Sequence, residues 1–167
     1  MLKSLYYSLF NSHLSYGLST WGINASEYLI NSLQILQNKV LRLIASISQD
    51  SFVHCADIRK TFGILTVKDQ IKVQITSIMW DYDHDTLPPH LNSFFIRSSE
   101  VHHHNTRGAS CGKLFFKPIN STSYGLKSLK FKGAKIINDF LGTDIYRNAK
   151  TKKAFLKNSK LDLVSLY

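Results

Sequence analysis

Ser26-Glu27-Tyr28-Leu29-Ile30-Asn31-Ser32-Leu33-Gln34-Ile35-Leu36-Gln37-Asn38-Lys39-Val40-Leu41-Arg42-Leu43-Ile44-Ala45-Ser46-Ile47 is the stretch that decides the fold class. Leu29, Leu33, Leu36, Val40, Leu43 and Ile47 alternate steps of four and three, which is the spacing of one helix face. Ser26-x-x-Leu29 supplies an opening cap. Gln34, Gln37, Asn38, Lys39 and Arg42 are expected on the outer side. The stripe covers about two and a half heptads, and core packing accounts for it; a dimerising coiled coil would use the same face but wants about three to four repeats.

On the N-terminal side, Leu2, Leu5, Leu9 and Tyr16 recur at helical spacing with Tyr6, Phe10 and Leu14 flanking them. Gly17 and Trp21-Gly22 are expected to end this helix. On the other side a polar break at Ser46–Ser51 leads to a short helix near Phe52–Phe62 and a turn at Gly63. Thr66 reads as an N-cap with Asp69 at the third helical position. Val67, Ile71, Ile75, Ile78 and Met79 then give one apolar face of a helix ending near Trp80–Tyr82, with Lys68 and Lys72 off it. Helix, glycine turn and helix superficially resemble a helix-turn-helix. The second helix lacks the Arg, Asn and Gln density that reads base edges, so a packed hairpin is expected.

Pro88-Pro89 closes this helical half, because two prolines do not continue a helix. Residues 96–112 read as loop, 113–117 as a short extended segment, Asn120–Tyr124 as turn, and Leu126–Leu141 as a helix carrying Ala134, Ile137 and Phe140. Ala149–Tyr167 reads as a basic amphipathic helix with Phe155, Leu156 and Leu163 inside. Its outer side holds Lys150, Lys152, Lys153, Lys157 and Lys160. The expected architecture is mainly α: a helical bundle over 1–84, a loop or linker over 85–112, and a mixed, loop-rich basic module over 113–167 that ends in the helix.

Charge is unevenly spread. Residues 1–84 hold 7 Lys/Arg against 6 Asp/Glu, whereas residues 85–167 hold 14 against 5. A near-neutral half joined to a basic half points to a polyanionic partner, nucleic acid above all. Between Lys113 and Lys160 the cations interleave with Phe115, Phe116, Tyr124, Phe131 and Tyr146. Cations release counterions from phosphates and exposed aromatics stack on unpaired bases; each aromatic taken alone reads as core, while the lysines together read as phosphate contacts rather than a solvated face. Cys55 and Cys111 lie far apart without a Cys-x-x-Cys pair, which reads as free thiols in a reducing, intracellular setting, with a single disulfide left open by spacing alone. No apolar run approaches the roughly 20 residues that span a bilayer.

Catalytic and metal constellations were sought and none is found. Asp81-x-Asp83-x-Asp85 begins like a calcium loop, but Thr86 and Asn92 stand where glycine and a bidentate glutamate belong. A solvated acidic helix end is the better reading. His102-His103-His104 are consecutive and do not converge on one ion. There is no phosphate-cradling glycine loop and no adjacent Asp-Asp pair. No cofactor is implied.

Several motifs together resemble a known family. Asn105-Thr106-Arg107 after His104, then Ser128…Gly133-Ala134-Lys135-x-x-Asn138, is similar to the region after the reverse-transcriptase palm in non-LTR retrotransposon polyproteins of the jockey and X-element kind. Leu5-Tyr6-Tyr7…Leu14-Ser15-Tyr16-Gly17…Trp21-Gly22 resembles the thumb-like helix of those proteins. Leu33-Gln34-x-Leu36-Gln37-Asn38-Lys39-Val40-Leu41-Arg42-Leu43-Ile44 resembles the helix that follows, and Leu65-x-Val67-x-Asp69 a further short signature. Ile137 and Asp139-Phe140-Leu141 depart from the tryptophan and Leu-Pro usual in the family. The palm, which holds two metal ions on an aspartate pair and a third carboxylate, is not in this sequence.

The resemblance implies a noncatalytic thumb and C-terminal region of an RNA-directed DNA polymerase, whose missing palm would be its partner in the intact protein. It would grip template–primer or element RNA through phosphate contacts from Arg107, Lys113, Lys117, Lys130, Lys132 and Lys135. A monomer without nucleic acid is expected. The alternative is a helical interaction module that dimerises or docks a partner through the Leu29–Ile47 stripe.

Overall fold

The computed structural model describes residues 2–46, 53–93, 95–97, 122–141, 146 and 148–167. All regular elements among them are helices, so the fold is mainly α. The chain forms two compact units, one from Met1–Ile71 with Lys160–Tyr167 and one from Lys72–Ser159.

The first unit opens with α1 (Leu2–Leu5), a π-helical stretch (Tyr6–Asn11) and α2 (Ser12–Ser15) in succession. Of the broad apolar face expected here, Tyr6 and Leu14 are buried while Leu5, Leu9 and Tyr16 are exposed, so only its Tyr6 side turns inward. Through the π-helical stretch, whose bonds run i to i+5, Tyr6 and Phe10 lie on the inner side, with Leu14 following in α2. Gly17 ends the stretch as expected, with a left-handed φ of 59°. Trp21-Gly22 does not end a helix; both lie within α3 (Leu18–Asn24). A Cβ on Gly22 would sit 2.9 Å from Ile71 Cγ1, so only glycine permits this approach.

Ser26 caps α4 (Glu27–Ile44), its hydroxyl accepting from Leu29 N at 3.3 Å. Only part of the apolar stripe is on the inner face: Leu33 and Val40 pack inward, the other described leucines of the stripe do not. Leu29, Leu36 and Leu43 are 54%, 50% and 75% exposed, whereas Gln37, expected outside, is 0% exposed. The inward side is Ile30, Leu33, Gln37, Val40, Leu41 and Ile44, which pack in clusters with Tyr6, Leu14, Ile58, Ile64 and Val67. Ile47 lies outside the described residues. Gln37 is held inside by bonds: its Nε2 donates to Tyr6 Oη and to Leu65 O, both at 2.9 Å, and its Oε1 accepts from Gln34 Nε2 at 2.6 Å. Gln34 Oε1 accepts from Val67 N at 2.9 Å. Buried polar groups that are each partnered cost little to enclose.

Helix α5 (Cys55–Phe62) starts later than expected and ends at Gly63, whose φ of 63° suits a residue without a Cβ. Thr66 then caps α6 (Val67–Asp83) as expected: Asp69 N donates to Thr66 Oγ1 at 3.1 Å, and Thr66 Oγ1 donates to Asp69 Oδ2 at 2.6 Å. Tyr167 completes the arrangement. Its hydroxyl donates to Asp69 Oδ2 at 2.6 Å and accepts from Thr66 N at 2.9 Å.

Burial, and then the bond to Asp69, raises the ionisation of Tyr167 above its ordinary value; burial does the same for Tyr6. The unfolded chain therefore loses tyrosine protons first as pH rises through the ordinary value of 10.0, and the folded state, still protonated, loses its advantage. Denaturant midpoints followed by circular dichroism should hold below that pH and fall above it, less steeply in Tyr167→Phe. A profile identical in wild type and variant would remove Tyr167 from this account.

In the second unit, α6 ends at Asp83, five residues before the proline pair, and Pro89 instead is the first residue of α7 (Pro89–Asn92), where a missing N–H is harmless. The expected 126–141 helix is divided at Ser128 into α8 (Ser123–Lys127) and α9 (Leu129–Leu141), with Tyr124 in α8 rather than in a turn. Helix α10 (Lys152–Ser165) follows the expected terminal helix, with Phe155 and Leu163 buried. Trp80 is the centre of this unit's core. Its ring stacks on His84 at 4.0 Å and on Phe155 at 4.5 Å, with Tyr146 edge-on at 5.2 Å. The acidic helix end is not simply solvated. Asp81 pairs with Lys152, and Asp83 pairs with Arg97 at 3.1 Å and accepts from Tyr146 Oη.

Candidate nucleic-acid interface

Ser128 sets the start of α9, its Oγ accepting from Phe131 N at 3.3 Å. Gly133, Ala134 and Ile137 then face inward. Gly133 lies so close to Met79 that a Cβ would stand 3.0 Å from Met79 Sδ. Lys135 follows Gly133 by two residues, about 200° round the helix, and is exposed. Lys130 and Lys132 are half-buried on α9. Asp139, one turn after Lys135, is exposed as well. Arg107, Lys113 and Lys117 lie outside the described residues, as do His102–His104, Phe115 and Phe116.

Helix α10 turns Phe155 and Ser159 inward, and Ser159 Oγ satisfies itself by donating to Phe155 O at 2.9 Å. Lys153 and Lys157, one turn apart, and Lys150 just ahead of the helix are exposed. None of the three has a carboxylate partner among the described residues. Lys152, expected on the outer side with them, is half-buried against Asp81. Asp81 and Asp83, the carboxylates at the end of α6, are taken by Lys152 and Arg97. Sequence reasoning counted Lys150, Lys153 and Lys157 in the basic Lys113–Lys160 segment but did not name them among the six phosphate contacts. The three-and-four spacing of those lysines was the available signal.

The aromatics separate into two kinds. Tyr146 belongs to the core beside Trp80 and Phe155, where burial and then its bond to Asp83 raise its ionisation well above the ordinary range. Tyr124 on α8 is 86% exposed. An exposed phenol ring offers a stacking platform for an unpaired base, and each such contact is worth about 1–3 kcal/mol.

Among the described residues no three His, Cys, Asp or Glu side chains gather as a metal site would require, and no helix is long and apolar enough to cross a membrane. Cys55 is a free, half-buried thiol. Ammonium groups without counterions and one open ring can hold a polyanion. They offer no nucleophile and base in hydrogen-bond reach.

Compared with protein families, curated proteins and solved structures, the chain matches none. The retrotransposon resemblance therefore stands on the motifs alone.

Proposed function

We propose that the chain is a noncatalytic helical segment that binds nucleic acid through phosphate contacts, in the manner of the region after the palm in non-LTR retrotransposon reverse transcriptases. The observation that carries this reading is the set of exposed lysines Lys150, Lys153 and Lys157 around Lys152, of which Lys152 alone pairs with a carboxylate, Asp81, among the described residues. Cations without internal counterions attract small ions from solution, and a phosphate backbone displaces them with a gain in entropy. Lys130, Lys132, Arg107, Lys113 and Lys117 extend the same basic region along the chain. Tyr124 adds a sequence-tolerant contact that favours unpaired over duplex strands.

The test is affinity for a structured RNA and a matched DNA duplex across a salt series. Log affinity should fall linearly with log salt. Lys153→Gln with Lys157→Gln should flatten the duplex slope by about 1.8, at about 0.9 for each lost phosphate contact. Tyr124→Ala should weaken binding to a single strand more than to the duplex. Weak binding without a salt slope would make these lysines a solvated face and remove the reading.

A further inference from the structure

The first unit carries an apolar groove of about 350 Å³ between its opening helical stretch and α4. Tyr6, Phe10 and Ile44 contribute to its lining, and Leu5, Leu9 and Leu43 stand at it 45%, 66% and 75% exposed. Leu36 and Leu29 continue from Leu43 at seven-residue steps, both half exposed. Apolar side chains at that repeat extend the surface along one side of α4 over about 21 Å. A monomer rarely leaves leucines exposed in such a row.

The charges beside it say what kind of partner fits. Between Leu2 and Ser15, and between Tyr28 and Ile44, there is no carboxylate; the charged residues are Lys3, Lys39 and Arg42. Lys39 is one turn from both Leu36 and Leu43, and Lys39 and Lys3 are exposed without a carboxylate partner among the described residues. A second copy would bring its own cations against these and be repelled. A strand of nucleic acid has no apolar edge to fill the groove.

We propose that this groove docks an amphipathic helix of another polypeptide, with apolar residues at three- and four-residue spacing and carboxylates along its flanks. The groove belongs to the first unit and Lys135, Lys153 and Lys157 to the second, and the proposal does not depend on those lysines binding phosphate.

The probes are two labelled peptides of about 18 residues with the same leucines at that spacing. One carries glutamates on its flanks and the other lysines. By fluorescence anisotropy the glutamate peptide should bind at least tenfold more tightly than the lysine peptide. Leu9→Asp with Leu43→Asp should reduce its affinity at least tenfold while circular dichroism stays unchanged, as expected for exposed positions. Lys153→Gln with Lys157→Gln should leave it unaltered. Equal affinity for the two peptides, or binding that survives the Leu9 and Leu43 changes, overturns the proposal. So does binding lost with Lys153 and Lys157, since the peptide would then be using the phosphate-contact lysines. A mass that rises with concentration and returns to monomer in Leu43→Asp would make the groove a seam between two copies instead.

Discussion

Phe155→Ala should destabilise the second unit by about 4 kcal/mol, the largest effect of any single truncation considered. Phe155 is fully buried, stacks on Trp80 at 4.5 Å and meets Tyr146 edge-on at 5.4 Å. Its removal takes away the transfer energy of a whole ring and leaves a cavity between two aromatics too rigid to collapse into it. The denaturant midpoint should fall with little change in slope, and the emission of Trp80 should shift to the red as water reaches its ring. Phe155→Leu refills most of the volume and should recover more than half the loss. If Phe155→Ala costs under about 1 kcal/mol, the stacked trio is not the core of this unit.

Gln37→Leu is the second large effect, at about 2–3 kcal/mol, although the replacement is apolar and close in size. The loss is one of partners. Without the Gln37 amide, the Tyr6 hydroxyl loses one of two amide partners, Gln70 remaining, and the Gln34 amide loses one of its two acceptors. Leu65 O keeps a donor in Gln70 Nε2 at 3.2 Å, so the cost stops short of three orphaned groups. Tyr6→Phe alone should cost about 1 kcal/mol, and the double variant should cost less than the sum by about that amount, since the Gln37–Tyr6 bond can be lost only once. Strict additivity in the double-mutant cycle would mean that the two side chains are not coupled.

The residues that could be read from sequence are those whose partners are near in the chain. Thr66-x-x-Asp69 encodes its own cap, Ser26 encodes the start of α4, and Gly63 the end of α5; each is a local requirement that side-chain type meets directly. The helical class of α4 was equally plain. Its buried side was not, because counting leucines selects Leu29, Leu36 and Leu43, whereas the hydroxyl of Tyr6, the carbonyl of Leu65 and the amide of Val67 select Gln37 and Gln34. Those demands come from segments about thirty residues away. The π-helical turn at Tyr6–Asn11 likewise announces itself by no residue type, and it moves the inner face from Leu5 and Leu9 to Tyr6 and Phe10. For the basic region, sequence supplied the lysines but not their partners. That Lys152 is spent on Asp81 while Lys153 is not depends on where α6 ends relative to α10, which no local pattern records.

Tyr167 closing on Thr66 and Asp69 has a kinetic meaning. The contact joins residues 98 and 101 positions apart, and all of the second unit lies between them in the chain. Closing a loop of that length is slow when the intervening chain is a random coil and quicker once that chain has condensed. The segment Lys72–Ser159 is continuous in the chain and can condense by itself, while Met1–Ile71 is complete only when Lys160–Tyr167 returns to it. The earlier-made unit is thus the later to mature, and in that interval its leucine-lined groove and its uncapped polar groups are the part of the nascent protein most in need of a chaperone.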